Sequence, residues 1–321
     1  MPPFFFFFLA AIQPLSAVVE YEQANDREVL AMDVVSTLSS TGRKVNEDFI
    51  HLQPNRWAML LDGSSGLMPN VLVPYLQGRF QSDAQWFVHT FAHAFAQVEQ
   101  PSTPLPTAVE QALALVEQQY QAIPIADHLR GFSYEPSASL AIFRNTQESG
   151  PELFLLGDCT AIWDGGVYHD PAVSRLDDRA IQLCMHLSDT TGQTPAEVIK
   201  SPAMRAKLLE HREKKNHPEQ PDGYSVLAPH TGLAQYGAHL SLSGQGVHHV
   251  FLMSDGLAAG YQSYHLEPGP QEYLHAACTQ GLSSLLSRLR AVEQADQDLR
   301  QFPRLKPSDD ASGVLVELAQ P

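Results

Sequence analysis

This sequence predicts an α+β fold, a sandwich of β-sheets with helices packed outside it. Three observations lead there. Strand-like and helix-like segments come in blocks: strands, two helices, strands, two helices, strands, two helices, then a last strand. A doubly wound parallel sheet would alternate them instead. With 44% hydrophobic and 17% charged residues, the 321-residue chain can bury a sizeable core. No stretch is long or low-complexity enough to divide it, so one domain is expected over 27–318, after a leader or disordered segment at 1–26.

The elements follow in order. Residues 27–39 (REVLAMDVVSTLS) alternate apolar positions as a strand does, and the turn signal Thr41-Gly42 ends them. FIHL and WAMLLD are two further short strands. Over 71–98 apolar residues recur at three- and four-residue spacing, which predicts one long helix. Pro101, Pro104 and Pro106 interrupt it before a second helix at 107–122. SLAIFR, ELFLLGD and AIWDGG read as strands, the last turning at Gly165-Gly166 into VYHD. Helices are expected at 174–187 and 195–215, then a polar loop at 216–223. YSVLAP and HHVFLMSDG return to strand, 270–279 and 282–300 to helix, and GVLVEL closes the chain as a strand.

Charge and cysteine content exclude several classes. A formal net charge of −16 opposes nucleic-acid binding, which needs clustered Lys and Arg, and docking on an anionic membrane. Cys159, Cys184 and Cys278 are odd in number and form no CxxC pair, which speaks against a disulfide framework or structural zinc and fits a reducing cytoplasm. The apolar run at 4–12 is too short to span a bilayer, and no Lys or Arg precedes it. A cytoplasmic monomer without stable membrane insertion is expected; a secretory signal over 1–17 is the alternative.

Acidic residues recur where a core would not choose them, each beside an apolar strand. Glu47 and Asp48 precede FIHL, with Arg43 upstream able to offer a planar donor fork to a phosphate. Asp62 ends WAMLLD and is followed by Gly63. Asp158 follows Gly157 between two strands, Asp255 ends VFLMSD before Gly256, and Asp309-Asp310 precede the last strand. Each alone reads equally as a turn. Together they repeat one design, and several carboxylates gathered at strand ends would repel strongly unless cations joined them. Oxygen-only ligands select Mg²⁺ or Mn²⁺ over zinc.

The order R-x-x-N-E-D, D-G, G-D, S-D-G, D-D resembles the PPM-type phosphatases, the protein phosphatase 2C family, over roughly residues 32–318. The resemblance implies a central antiparallel β-sandwich flanked by helix pairs on both outer faces, with the metal site at one end. It implies two Mn²⁺ or Mg²⁺ ions held by Asp48, Asp62, the Gly63 carbonyl, Asp255 and Asp309, with Asp62 bridging. Asp158 would help hold a third, weaker ion with Asp255. Glu47 would hold a metal-bound water, and Arg43 would bind the substrate phosphate. The implied activity is hydrolysis of phosphoserine and phosphothreonine in proteins by a hydroxide bridging the ions. C-x₅-R, a nucleophile motif, is missing from the chain. The position after Asp62-Gly63, His in many eukaryotic relatives, is Ser64, and Gly157-Asp158 continues as Cys159-Thr160. A flap-like region at about 170–240 departs most from the family pattern.

Other features read as structural. His89 and His93, at i, i+4, suit packing and helix-face polarity more than zinc without an HExxH. Asp177-Asp178, flanked by Arg175 and Arg179, reads as a solvated face with local ion pairs. Lys200, Arg205, Lys207, Arg212, Lys214 and Lys215 make one basic helix, a solvated face or a dock for acidic phosphoprotein segments. Two other functions stay open: a non-catalytic phosphatase-fold binding module, and a phosphatase for small phosphate esters.

Overall fold

A computed structural model describes residues 32–42, 44–65, 69–131 and 134–319. Among these residues ten strands form, in chain order: β1 (Met32–Ser40), β2 (Phe49–Gln53), β3 (Trp57–Ser64), β4 (Ser137–Thr146), β5 (Gly150–Leu156), β6 (Thr160–Trp163), β7 (Gly166–Tyr168), β8 (Ala238–Ser241), β9 (His249–Met253) and β10 (Ala311–Leu318). Eight helices accompany them: α1 (Asp83–Val98), α2 (Leu105–Ala122), α3 (Pro171–Thr191), α4 (Pro195–Val198), α5 (Pro202–Arg212), α6 (Asp255–Gln262), α7 (Pro270–Gln280) and α8 (Leu282–Ala295). The strands make two antiparallel five-stranded sheets, ordered β1-β10-β9-β6-β7 and β2-β3-β4-β5-β8.

β3 shows why the sheets stack. Successive side chains of a strand point to opposite faces, and here both faces are apolar. Ala58 and Leu60 turn into the sandwich with Ala141, Phe143, Leu252 and Val314. Trp57, Met59 and Leu61 turn outward under α1 and α2, against Phe87, Phe91 and Leu113. The other sheet does the same: Phe251, Met253 and Leu315 face outward to Tyr273, Leu285 and Leu289 of α7 and α8. Four layers result, helices–sheet–sheet–helices. α3, α4 and α5 form a small separate cluster around Ala180, Cys184, Val198 and Met204. Among the described residues no helix is long and apolar enough to cross a membrane, and Cys159, Cys184 and Cys278 are free thiols.

Four expectations need correcting. The helix expected at 71–98 starts only at Asp83. Pro74 initiates a 3₁₀ turn, Gln77 and Gly78 take positive φ (54° and 74°), and Ser82 caps α1 by accepting from the Gln85 amide. The helix expected at 195–215 divides at Ser201-Pro202, where Ser201 caps α5. YSVLAP forms only isolated bridges, Lys215 with Tyr224 and Leu227 with Ala138; the edge strand is β8 instead. The chain also turns helical directly after Ser254, where a strand end alone was expected. The part of the first expected strand before Met32 and the leader at 1–26 lie outside the described residues.

Candidate metal centre

The carboxylates converge at one end of the sandwich. Asp62 is the third-last residue of β3, and its cross-strand partner on β4 is Ser139. The Ser139 hydroxyl donates to Asp158 Oδ1 at 2.5 Å and accepts from the Asp158 amide at 3.1 Å. Gly157, at φ 88°, makes the turn that brings Asp158 back to this strand end. From the opposite sheet, β9 ends at Met253 and α6 begins at Asp255, whose amide donates to Asp62 Oδ2 at 3.4 Å. A helix N-terminus therefore points at the Asp62 carboxylate.

Glu47 and Asp48 part, as neighbours in extended chain must. Glu47 accepts from the Ser65 hydroxyl and, at 3.5 Å, from the Ser65 amide. Asp48 is 8% exposed, and neither of its carboxylate oxygens has a hydrogen-bond partner. Asp309 and Asp310 also part. Asp309 pairs with Lys306. Asp310 accepts from the Thr41 hydroxyl and the Gly42 amide, both at 3.0 Å, and from the Glu47 amide at 2.9 Å. It thus braces the loop that carries Glu47 and Asp48 onto the start of β10. Arg43, in the same loop, lies outside the described residues.

Two motif glycines are needed for close approach. A Cβ on Gly63 would stand 2.4 Å from the Glu47 carbonyl oxygen, and one on Gly256 2.0 Å from the Asp310 carbonyl oxygen. Backbone packs on backbone at both places, which draws the acids of four chain segments together. Gly256→Ala is expected to destabilise the protein by about 1–3 kcal/mol, the usual cost of overpacking, read from the denaturant midpoint. An unchanged midpoint would show that α6 and β10 do not meet this tightly.

The site's electrostatics follow. Burial pushes the Asp48 carboxyl up to about 8, helped by the charges of Asp255 and Asp310, while the nearby Ser312 and Ser254 hydroxyls pull it back. Burial, then Asp255, Asp48, Asp158 and Asp309, hold Asp62 well above the carboxylate range. Burial, then Asp309 and Asp158, push Asp255 up to about 7 against the pull of Lys306. Asp62 and Asp255 keep some accessible surface, yet dense protein around them denies both a full hydration shell. Among the described residues no three His, Cys, Asp or Glu side chains stand close enough to make a finished cage; the acids feel one another through charge at longer range. An unpartnered buried carboxylate facing further acids is the donor set a hard divalent cation fits, and such a cation would remove the repulsion.

No family model matches the sequence, and no curated protein matches it. Solved structures do. The serine/threonine phosphatase Stp1 from Staphylococcus aureus aligns with a TM-score of 0.51 at 12% identity, over 92% of this chain and 100% of its own. The PPM Ser/Thr phosphatase MsPP from Mycobacterium smegmatis aligns with a TM-score of 0.44 at 16% identity, over 89% of this chain and 99% of its own. The chain has the PPM-type phosphatase fold. The catalytic domain of the serine/threonine phosphatase PstP, solved with two manganese ions, covers 91% of this chain and 100% of its own, with a TM-score of 0.45 and 16% identity.

Within this PPM-type fold the middle segment supplies residues that sequence reasoning set aside. Asp177-Asp178 is not a uniform solvated face. Asp178 is exposed, whereas burial, then Asp158 and Asp255, push Asp177 up to about 7. Arg179 pairs with Asp222 at 2.5 Å, across the segment and not within the helix. The basic helix divides likewise: Lys207 pairs with Glu210, while Arg212 and Lys215 are buried. Periodicity could have flagged Asp177, one residue after the buried Leu176 and three before the buried Ala180; nothing local marks Arg212. His89 stacks on Phe49 with ring centres 3.8 Å apart, and His93 meets His51 edge-on at 5.4 Å, so this pair helps pack α1 on β2.

Proposed function

We propose that the chain is a divergent PPM-type phosphatase that hydrolyses phosphoserine and phosphothreonine in proteins, using two Mg²⁺ or Mn²⁺ ions and a weaker third. One observation carries the reading: the bare, buried Asp48 carboxylate opens onto the acids of Asp62 and Asp255 at the end of a PPM-type sandwich. Asp48, Asp62, the Gly63 carbonyl, Asp255 and Asp309 would hold the pair, and Asp158 with Asp255 the third ion. When bound, the ions supply an acidified water and neutralise charge on the phosphoryl oxygens.

The chain's own residues do the rest. Asp62 spans the gap between the sheets, because it belongs to β3 and accepts from the first residue of α6. Asp310 keeps the Glu47–Asp48 loop in place. Glu47, tied to Ser65, orients a water beside the acids. Arg43 would clamp the phosphate. The proposal extends to a cytoplasmic monomer acting on phosphorylated proteins and not on nucleic acid, which a net charge of −16 repels.

The test is phosphate release from a phosphothreonine peptide with Mn²⁺, with Mg²⁺ and with EDTA. Turnover that needs the metal and stops with EDTA supports the proposal. Folded protein inert with every metal would leave the fold as a binding module. Release from sugar or nucleotide phosphates alone would mark an enzyme of small esters.

A further inference from the structure

The inward-facing cations at the end of α5 meet the centre from the middle segment. Lys215 is 1% exposed, and its ammonium donates to the Glu135 carbonyl at 3.0 Å. Arg212 is 8% exposed and lies over the end of β3. Its Nη1 reaches the Ser64 hydroxyl at 3.5 Å, and its Nη2 reaches the Ser65 carbonyl at 3.5 Å and the Glu135 carbonyl at 3.3 Å. Ser64 and Ser65 directly follow Asp62-Gly63, and Ser65 donates to Glu47. Burial opposes the Arg212 charge and Glu47 favours it, while Tyr224, its phenol pushed up to about 12 mainly by burial, feels Arg212, Asp158 and Asp177. Arg212 therefore stands on the Glu47 side of the acids, and Tyr224 and Asp177 on the Asp158 side.

We propose that Arg212 is a substrate-binding residue that takes an oxygen of a phosphate monoester on the Ser64 side of the centre. This rests on the phosphatase reading above. Three arguments carry it. A guanidinium stays protonated throughout the physiological range, so the site keeps one positive group whatever its carboxylates do. The Arg212 Nη groups meet the Ser64 hydroxyl and the Ser65 and Glu135 carbonyls at 3.3–3.5 Å, which places a planar donor fork beside the strand end that carries Asp62-Gly63. Enclosure strengthens the attraction by excluding water. In the reaction, the oxygen of water bonds to phosphorus and the ester P–O bond breaks. The departing alkoxide takes a proton from water and leaves as the alcohol, with inorganic phosphate as the other product. Arg212 holds charge in this exchange and donates no proton.

The experiment titrates the Mg²⁺-loaded full chain with inorganic phosphate by calorimetry, comparing wild type, Arg212→Lys and Arg212→Gln, and measures peptide KM and kcat beside it. The expected result is phosphate binding weakened about 10- to 100-fold in Arg212→Gln, the scale of one hydrogen bond to a charged group, with Arg212→Lys between. KM should rise with it. Should Arg212→Gln fail to melt cooperatively, Arg212→Lys decides alone, because it keeps the charge and loses only the fork. Unchanged phosphate affinity in a folded variant overturns the proposal and leaves the phosphatase reading standing. Wild type that binds phosphate through Arg212 without turnover removes the phosphatase reading and keeps the binding residue.

Discussion

Asp62→Asn is expected to lower metal-dependent phosphate release by about 10³-fold or more, the scale of losing one preorganised charged group from a reacting centre, while raising the melting temperature of the metal-free protein. The two effects share a cause. Asp62 is the acid on which the charges of Asp255, Asp48, Asp158 and Asp309 all bear. With cations present that convergence would hold them; without cations it is repulsion in a poorly hydrated place. Asn keeps the shape and still accepts from the Asp255 amide, so little packing is lost. Removing the charge should stabilise the metal-free fold by about 1 kcal/mol or more, roughly 2–4 °C for a chain of this order. Added Mg²⁺ should then raise the variant's melting temperature far less than the wild type's. Turnover within tenfold of wild type would place the reacting centre elsewhere, and a lower melting temperature in EDTA would mean that the acids do not repel.

The second large effect is on pH. In EDTA, stability is expected to fall as pH rises. The carboxyls of Asp48 and Asp255 shift up from 3.8, to about 8 and about 7, and Asp62 is also held well above 3.8. Well below pH 3.8, these groups are protonated in folded and unfolded chain alike. Above pH 4 the unfolded chain sheds protons that the folded chain retains, so the folded state binds more protons and stability declines toward pH 8. Burial lowers the His51 and His89 imidazoles from 6.5, which acts in the opposite direction only below pH 6.5. The window to read is therefore pH 6.5 to 8, where the EDTA-treated protein should lose roughly 4–8 °C, equivalent to about 2 kcal/mol. Mg²⁺ or Mn²⁺ at a hundred times its dissociation constant should return about 2.7 kcal/mol at pH 8. A melting temperature that rises with pH in EDTA would contradict the clustering of these acids.

Much of the centre was legible because its signals are local. An Asp that ends an apolar strand beside a Gly announces both the strand end and the close approach, and Gly63 and Gly256 do pack on the Glu47 and Asp310 carbonyls. The start of α1 was equally written in Pro74, Gly78 and Ser82, and the amphipathic spacing obscured it. The helix after Asp255 was signalled by Ser254 at its cap position. The split between Asp309 and Asp310 had weaker marks, since only the chain ahead of β10 decides which carboxylate turns to the Thr41–Glu47 loop.

The sequence by itself determined a sandwich of sheets with helices outside and the recurrence of Asp at its strand ends, because hydrophobic period and turn chemistry act between near neighbours. Only the tertiary structure decided which charges of the middle segment are solvated and which face the centre. Asp178 is exposed while Asp177 beside it is half-buried, and Lys214 is half-buried while Lys215 beside it is buried. The end of α5 meets the end of β3 and the chain ahead of β4 through contacts far apart in the chain, such as Arg212 on Ser64 and Lys215 on Glu135. No local pattern encodes such a contact, because desolvation of a charge depends on everything packed around it.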